Sequence, residues 1–252
     1  MSRTVMASCL WLLAGAAAGA EEPGAGGQPG SPTQAMQADD SLNPGMLWVL
    51  DGEARWGEPA GSSGRSCADC HGDAAVSMRG VAARYPTFDP DAGGPISLEG
   101  RIQRCRVDHQ EAQALPPEGP ERLGLLAFVA HQSRGLPIAP ATDERLRPAL
   151  ARGQQLFEQR QGQLDLSCAD CHDRHVGGRL GGATIPAAHP TGYPIYRLEW
   201  QGLGSMQRRL RNCMTGMRAE PYPYDAPEQV ELELYLMTRA KALLLETPGV
   251  RP

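Results

Sequence analysis

The hexapeptide Ser-Cys-Ala-Asp-Cys-His occurs twice, at residues 66–71 and 167–172, and no other feature restricts the architecture as much. Two thiols one helical turn apart, followed at once by an imidazole, form the attachment pattern of c-type heme. The thiols add to the vinyl groups along one heme edge, and the histidine projects to the iron as proximal ligand. Cys67 and Cys70 with His71, and Cys168 and Cys171 with His172, are therefore expected to hold two covalently bound hemes c. A redox-active Cys-x-x-Cys pair or a zinc ribbon would not call for a histidine after both pairs.

The repeat reaches beyond the motif. Gly52 and Trp56 precede the first copy at the intervals by which Gly153 and Phe157 precede the second. Leu150, Gly153 and Phe157 share one face of a helix before the second motif. Proline-initiated amphipathic segments follow each motif, at 120–132 and 227–246. Helix, motif, long loop, terminal helix is the order of a class I cytochrome c domain. No stretch alternates as a long strand would. The expectation is an all-α chain with two class I cytochrome c-like heme domains in tandem, at 45–145 and 146–252.

The N-terminus predicts export. Arg3, an apolar run and the small residues Ala18-Gly19-Ala20 read as a signal peptide over 1–20, cleaved near Ala20. A Gly/Pro/Ser/Gln-rich leader over 21–44 reads as mobile. No later run is long and apolar enough to span a bilayer, and heme attachment favours a bacterial periplasm. The chain has 24 basic against 29 acidic residues, and no basic patch interleaved with aromatics, which argues against nucleic-acid binding. With 22 prolines and 30 glycines it is rich in loops, and buried heme would supply part of the core.

Cysteine arithmetic leaves a question. Of seven cysteines, Cys9 falls in the signal peptide and four belong to the motifs, leaving Cys105 and Cys213. Each follows an arginine by four residues, Arg101 and Arg209. An exported protein could join them as a disulfide. Their equivalent places in separate repeats favour the alternative, in which each ligates its own heme iron. Met78, His109 and His131 near the first motif, and His175, His189, Met206, Met214 and Met217 near the second, are further ligand candidates. A thiolate ligand would pull the potential strongly negative, which suits a task other than ordinary electron relay.

The segments NPGMLWVLDGEARW, RIQRC and TGYPIYRLEWQGLGSMQRRLRNC, with both heme motifs, resemble the SoxA family, diheme cytochrome subunits in bacterial thiosulfate oxidation. The resemblance implies an L-cysteine S-thiosulfotransferase. Such an enzyme joins thiosulfate oxidatively to a cysteine of the carrier SoxYZ and passes two electrons through heme to a small cytochrome c. The partner it implies is SoxX, a monoheme cytochrome. It further implies His71 and Cys105 as ligands of the first heme, and His172 and Cys213 as ligands of the second. Cys213 would be the catalytic cysteine, carried as a persulfide, and Arg209 would bind substrate. If 205–215 is helical, Arg209 and Cys213 lie one turn apart on one face. Two other readings stay open: an electron-transfer diheme cytochrome without sulfur chemistry, and a peroxide-reducing diheme enzyme.

Overall fold

A computed structural model describes residues 31–252. The expected signal peptide and residues 21–30 of the leader lie outside the described residues. The chain begins with α1 (Pro32–Ala38), then α2 (Met46–Gly57), the first motif helix α3 (Cys67–His71) and α4 (Ala74–Ser77). A hairpin of β1 (Thr87–Asp89) and β2 (Gly94–Ile96) leads into α5 (Leu98–His109) and α6 (Pro120–His131). The second half repeats this order: α7 (Arg147–Glu158), motif helix α8 (Cys168–His172), and a small hairpin of β3 (Arg179–Leu180) and β4 (Ala183–Thr184). It continues with β5 (Ile195–Arg197), β6 (Gly202–Gly204), α9 (Met206–Gly216), α10 (Pro227–Arg239) and β7 (Gly249–Arg251). The fold is mostly helical. Its strands are two or three residues long, too short to show alternation in the sequence.

In each half, the helix before the motif crosses the proline-initiated helix after it, and glycine permits the crossing. A Cβ at Gly52 would lie 2.0 Å from the Gly124 carbonyl oxygen of α6. One at Gly153 would lie 2.1 Å from the Glu231 carbonyl oxygen of α10. Aromatic pairs flank these contacts, with Trp56 and Phe128 centroids 5.7 Å apart and Phe157 and Tyr235 5.3 Å apart. Val49, Trp56, Phe128, Phe157, Leu232 and Leu236 belong to one continuous core that crosses both halves.

Two expectations are corrected. Residues 31–44 are built into the fold and are not mobile there. Buried Gln37 accepts the Val250 amide at 3.1 Å, and buried Asn43 donates to the Pro248 carbonyl at 2.9 Å. These long-range bonds offset a composition that favours disorder. Helix α10 ends at Arg239 and does not run to 246. Ala242 takes a left-handed φ of 71° and the chain turns back, so that Leu245 donates to Leu136 and Ile138 donates to Leu243. β7 then pairs in parallel with β5, which makes the three-stranded order β6-β5-β7.

The halves also meet through charge. Arg122 of α6 pairs with Glu99 of α5 and with Asp225 ahead of α10, both at 2.5 Å. Beside this pair lies a cavity of about 60 Å³ lined by Leu98, Glu99, Leu126, Tyr193, Met206 and Glu233, among others. Such a volume has room for water. Burial pushes Glu99 up to about 7 against the pull of Arg122. Glu233 makes no hydrogen bond or ion pair among the described residues; burial, and then the charge of Glu99, push it up to about 8.

Candidate functional site

The two motif helices are single turns fixed by the same device. Ser66 Oγ accepts the Asp69 amide at 3.1 Å while Asp69 accepts the Ser66 amide at 2.7 Å; Ser167 and Asp170 repeat this at 3.1 and 2.9 Å. Such capping boxes hold a five-residue helix that could not persist alone, and so set both cysteines on one edge. In the second copy, His172 Nδ1 lies 2.7 Å from the Pro186 carbonyl oxygen. In the neutral ring Nδ1–H donates there and the Nε2 lone pair is left to bind metal. Burial holds the His172 imidazole below its ordinary value despite the Pro186 bond, which favours the neutral, ligating form. In the first copy, Trp56 packs its ring 5.7 Å from His71 and donates Nε1–H to the Gly72 carbonyl at 2.9 Å.

The thiols fit covalent heme. Burial pushes Cys67 up, and burial with the neighbouring Cys213 charge pushes Cys168 up to about 12. Thiolates there would be costly, whereas uncharged thioethers to heme would not be. The described cysteines form no disulfide. Cys105 lies on α5 within electrostatic reach of Cys67 and Cys70. Cys213 lies on α9 within reach of Cys168 and Cys171. Each orphan cysteine is therefore near the motif of its own half.

Among the other ligand candidates, Met214 and Met217 are buried, Met206 borders the internal cavity, and His175 Nδ1 lies 2.5 Å from the Asp170 carbonyl oxygen.

Helix α9 places the second site. Ser205 caps it by accepting the Arg208 amide at 3.2 Å and donates its own hydroxyl to Glu118 of the first half at 2.5 Å. Arg208 then stacks 4.1 Å over Trp200, and Arg211 bonds the Tyr222 carbonyl and stacks 4.5 Å over Tyr224. Arg209 is different. It is half-buried and has no ion-pair or side-chain hydrogen-bond partner among the described residues, while its charge acts on His172, Tyr193 and Arg197. A guanidinium one turn before a cysteine, without a carboxylate, leaves its donor fork open to an anionic group. Arg101, its counterpart, is 3.6 Å from the buried carboxylate of Asp89.

Reading single positions misses a longer repeat. Tyr85 to Cys105 and Tyr193 to Cys213 align without a gap, matching Ser97 with Ser205 and Arg101 with Arg209. The alignment brings in Asp89 and Arg197, neither of which spacing from the motifs singles out.

Comparison with known proteins places these features. The family model for the SoxA/TsdA cytochrome c domain matches residues 51–138 and 152–243. The chain is 37% identical over 220 residues to the L-cysteine S-thiosulfotransferase subunit SoxA of Pseudaminobacter salicylatoxidans, covering 87% of this chain and 77% of that protein. The subunit of the same name from Rhodovulum sulfidophilum is 36% identical over 219 residues, covering 87% and 76%. The crystal structure of SoxXA from P. pantotrophus superposes with a TM-score of 0.84 at 29% identity, covering 87% of this chain and 83% of that one.

Proposed function

The chain belongs to the SoxA family, and we propose that it acts as the catalytic cytochrome subunit of an L-cysteine S-thiosulfotransferase. The net reaction is a carrier thiol plus thiosulfate giving a carrier S-thiosulfonate, one proton and two electrons. Cys67, Cys70, His71 and Cys105 would hold one heme in a unit spanning 45–145. Cys168, Cys171, His172 and Cys213 would hold another in a unit spanning 146–252. When bound, the hemes supply the sink that takes up the electrons and passes them to a small cytochrome c.

The chain's own residues bind and orient. Arg209 grips the sulfonate oxygens of thiosulfate and keeps the anion against Cys213, present as thiolate or persulfide. The Pro186 carbonyl fixes the His172 ring, and Ser205 with Glu118 fixes the start of the helix that carries both Arg209 and Cys213. The single observation that carries this reading is the half-buried guanidinium of Arg209, unpaired among the described residues, one turn before a cysteine within electrostatic reach of the second motif.

The partners in this reading are SoxX and the carrier SoxYZ, and the place of action is the periplasm. Among the described residues no helix is long and apolar enough to cross a membrane. A mass inventory of the purified protein tests the assignment. It should count two hemes on the four motif cysteines, with an extra sulfur atom localised to Cys213. Low-spin thiolate-ligated heme signals should appear by EPR. A Cys105–Cys213 disulfide, or EPR without thiolate ligation, would return the chain to plain electron transfer.

A further inference from the structure

The two halves handle one charge in opposite ways. The hairpins β1–β2 and β5–β6 share a register, with Asp89 opposite Gly94 and Arg197 opposite Gly202. In the first half Asp89 is fully buried and pairs with Arg101 at 3.6 Å and with Arg104. The arginine before Cys105 is thereby neutralised. In the aligned second half, Arg197 stands in place of Asp89, Glu199 in place of Asp91, and Asn212 in place of Arg104. The carboxylate that quenches the first site is exchanged for a second guanidinium.

Arg197 is within electrostatic reach of Arg209 and Cys213. Its side chain is 14% exposed, and its ion-pair partner is Glu199 at 2.8 Å, which is itself 53% exposed and screened by water. Burial, and then the charge of Arg209, push Arg197 below its ordinary value, while the charge of Cys213 acts the other way. Arg197 occupies the strand position from which Asp89, in the first half, reaches Arg101. Two guanidinia brought together out of water repel, and an anion between them removes the penalty.

We propose that Arg197 is a second anion-holding residue, gripping the sulfonate of thiosulfate opposite Arg209, and that the Asp89-to-Arg197 exchange confines anion binding to the second half. This deepens the proposed function and rests on it. Two planar forks match the oxygens of a tetrahedral sulfonate and leave its terminal sulfur toward Cys213. Arg197 makes and breaks no covalent bond; its part is to bind the anion.

The test uses the holoprotein with its cytochrome partner and carrier, in the variants Arg197→Gln, Arg197→Lys and Arg197→Asp. Loss of one charge-assisted contact should raise the KM for thiosulfate on the order of tenfold or more in Arg197→Gln. With binding lost and chemistry intact, kcat should change little. Arg197→Lys should recover part of the loss. Arg197→Asp, which recreates the pairing of the first half, should lose more than Arg197→Gln.

An unchanged KM in Arg197→Gln with heme spectra intact overturns the proposal, as does an Arg197→Asp variant no worse than Arg197→Gln. Calorimetric titration of thiosulfate into the holoprotein without carrier separates this inference from the function it rests on. Weaker binding in Arg197→Gln supports the role of Arg197 even if no conjugation occurs. Equal binding overturns it even if conjugation does occur.

Discussion

Replacing Glu233 by Gln should stabilise the protein at alkaline pH and do little at acid pH. Glu233 titrates near its ordinary 4.5 in the unfolded chain and at about 8 in the fold, because burial, Glu99 and Asp225 all disfavour its charge. Between those values the folded protein holds a proton that the unfolded chain has released, so stability falls as pH rises. The slope is ~1.4 kcal/mol per pH unit, or roughly 4 kcal/mol from pH 5 to pH 8. Above the folded value the loss levels off. Glutamine has nearly the same shape and no titration, so this part of the slope disappears in Glu233→Gln. Thermal unfolding of the holoproteins followed by circular dichroism, at intervals of pH, reads the difference. The variant's advantage should grow by on the order of 10 °C between pH 5 and pH 8. A wild-type-to-variant gap that is the same at both ends would show that Glu233 ionises freely and that the cavity is open to solvent.

Other outcomes follow from single contacts. Gly153→Ala should destabilise the second half by at least about 1–3 kcal/mol in chemical denaturation, because its Cβ would meet the Glu231 carbonyl oxygen at 2.1 Å. Gly57→Ala, where nothing lies within 4 Å, is the neutral control. Asp225→Asn removes a partner of the buried Arg122 and should lower stability by about 1–3 kcal/mol while both heme spectra persist. Arg209→Gln should weaken thiosulfate use by an order of magnitude or more without altering heme content, as steady-state rates and absorbance spectra would show.

Covalent heme attachment was legible because it demands a fixed local spacing, whereas the helix over 206–216 stood only as the condition for Arg209 and Cys213 to share one face. Glycines 52 and 153 were legible as a repeat, but only the structure shows the helix crossings and the carbonyls that require them. What escaped depends on distant partners. The run Leu243-Leu244-Leu245 reads as more helix, yet its backbone bonds belong to residues 136–138. The helix over 32–38 is short and polar, and its order comes from Gln37 and the C-terminal strand. Glu233 lies in a helical pattern like any surface glutamate until Leu126 and Glu99 close around it. The contrast between Asp89 and Arg197 becomes visible only when the two hairpins are aligned and the ion pairs of the first are known.

The conjugation reaction is the most direct measurement of the central claim. The holoprotein with its cytochrome partner should be mixed with reduced SoxYZ carrier, thiosulfate and an oxidised small cytochrome c, and the carrier then weighed intact. The expected result is a carrier cysteine bearing one thiosulfate unit as S-thiosulfonate, with two electrons delivered per adduct, and loss of both in a Cys213→Ser protein that still carries its hemes. A carrier left unmodified by the wild-type protein, or modified equally by Cys213→Ser, would contradict the assignment.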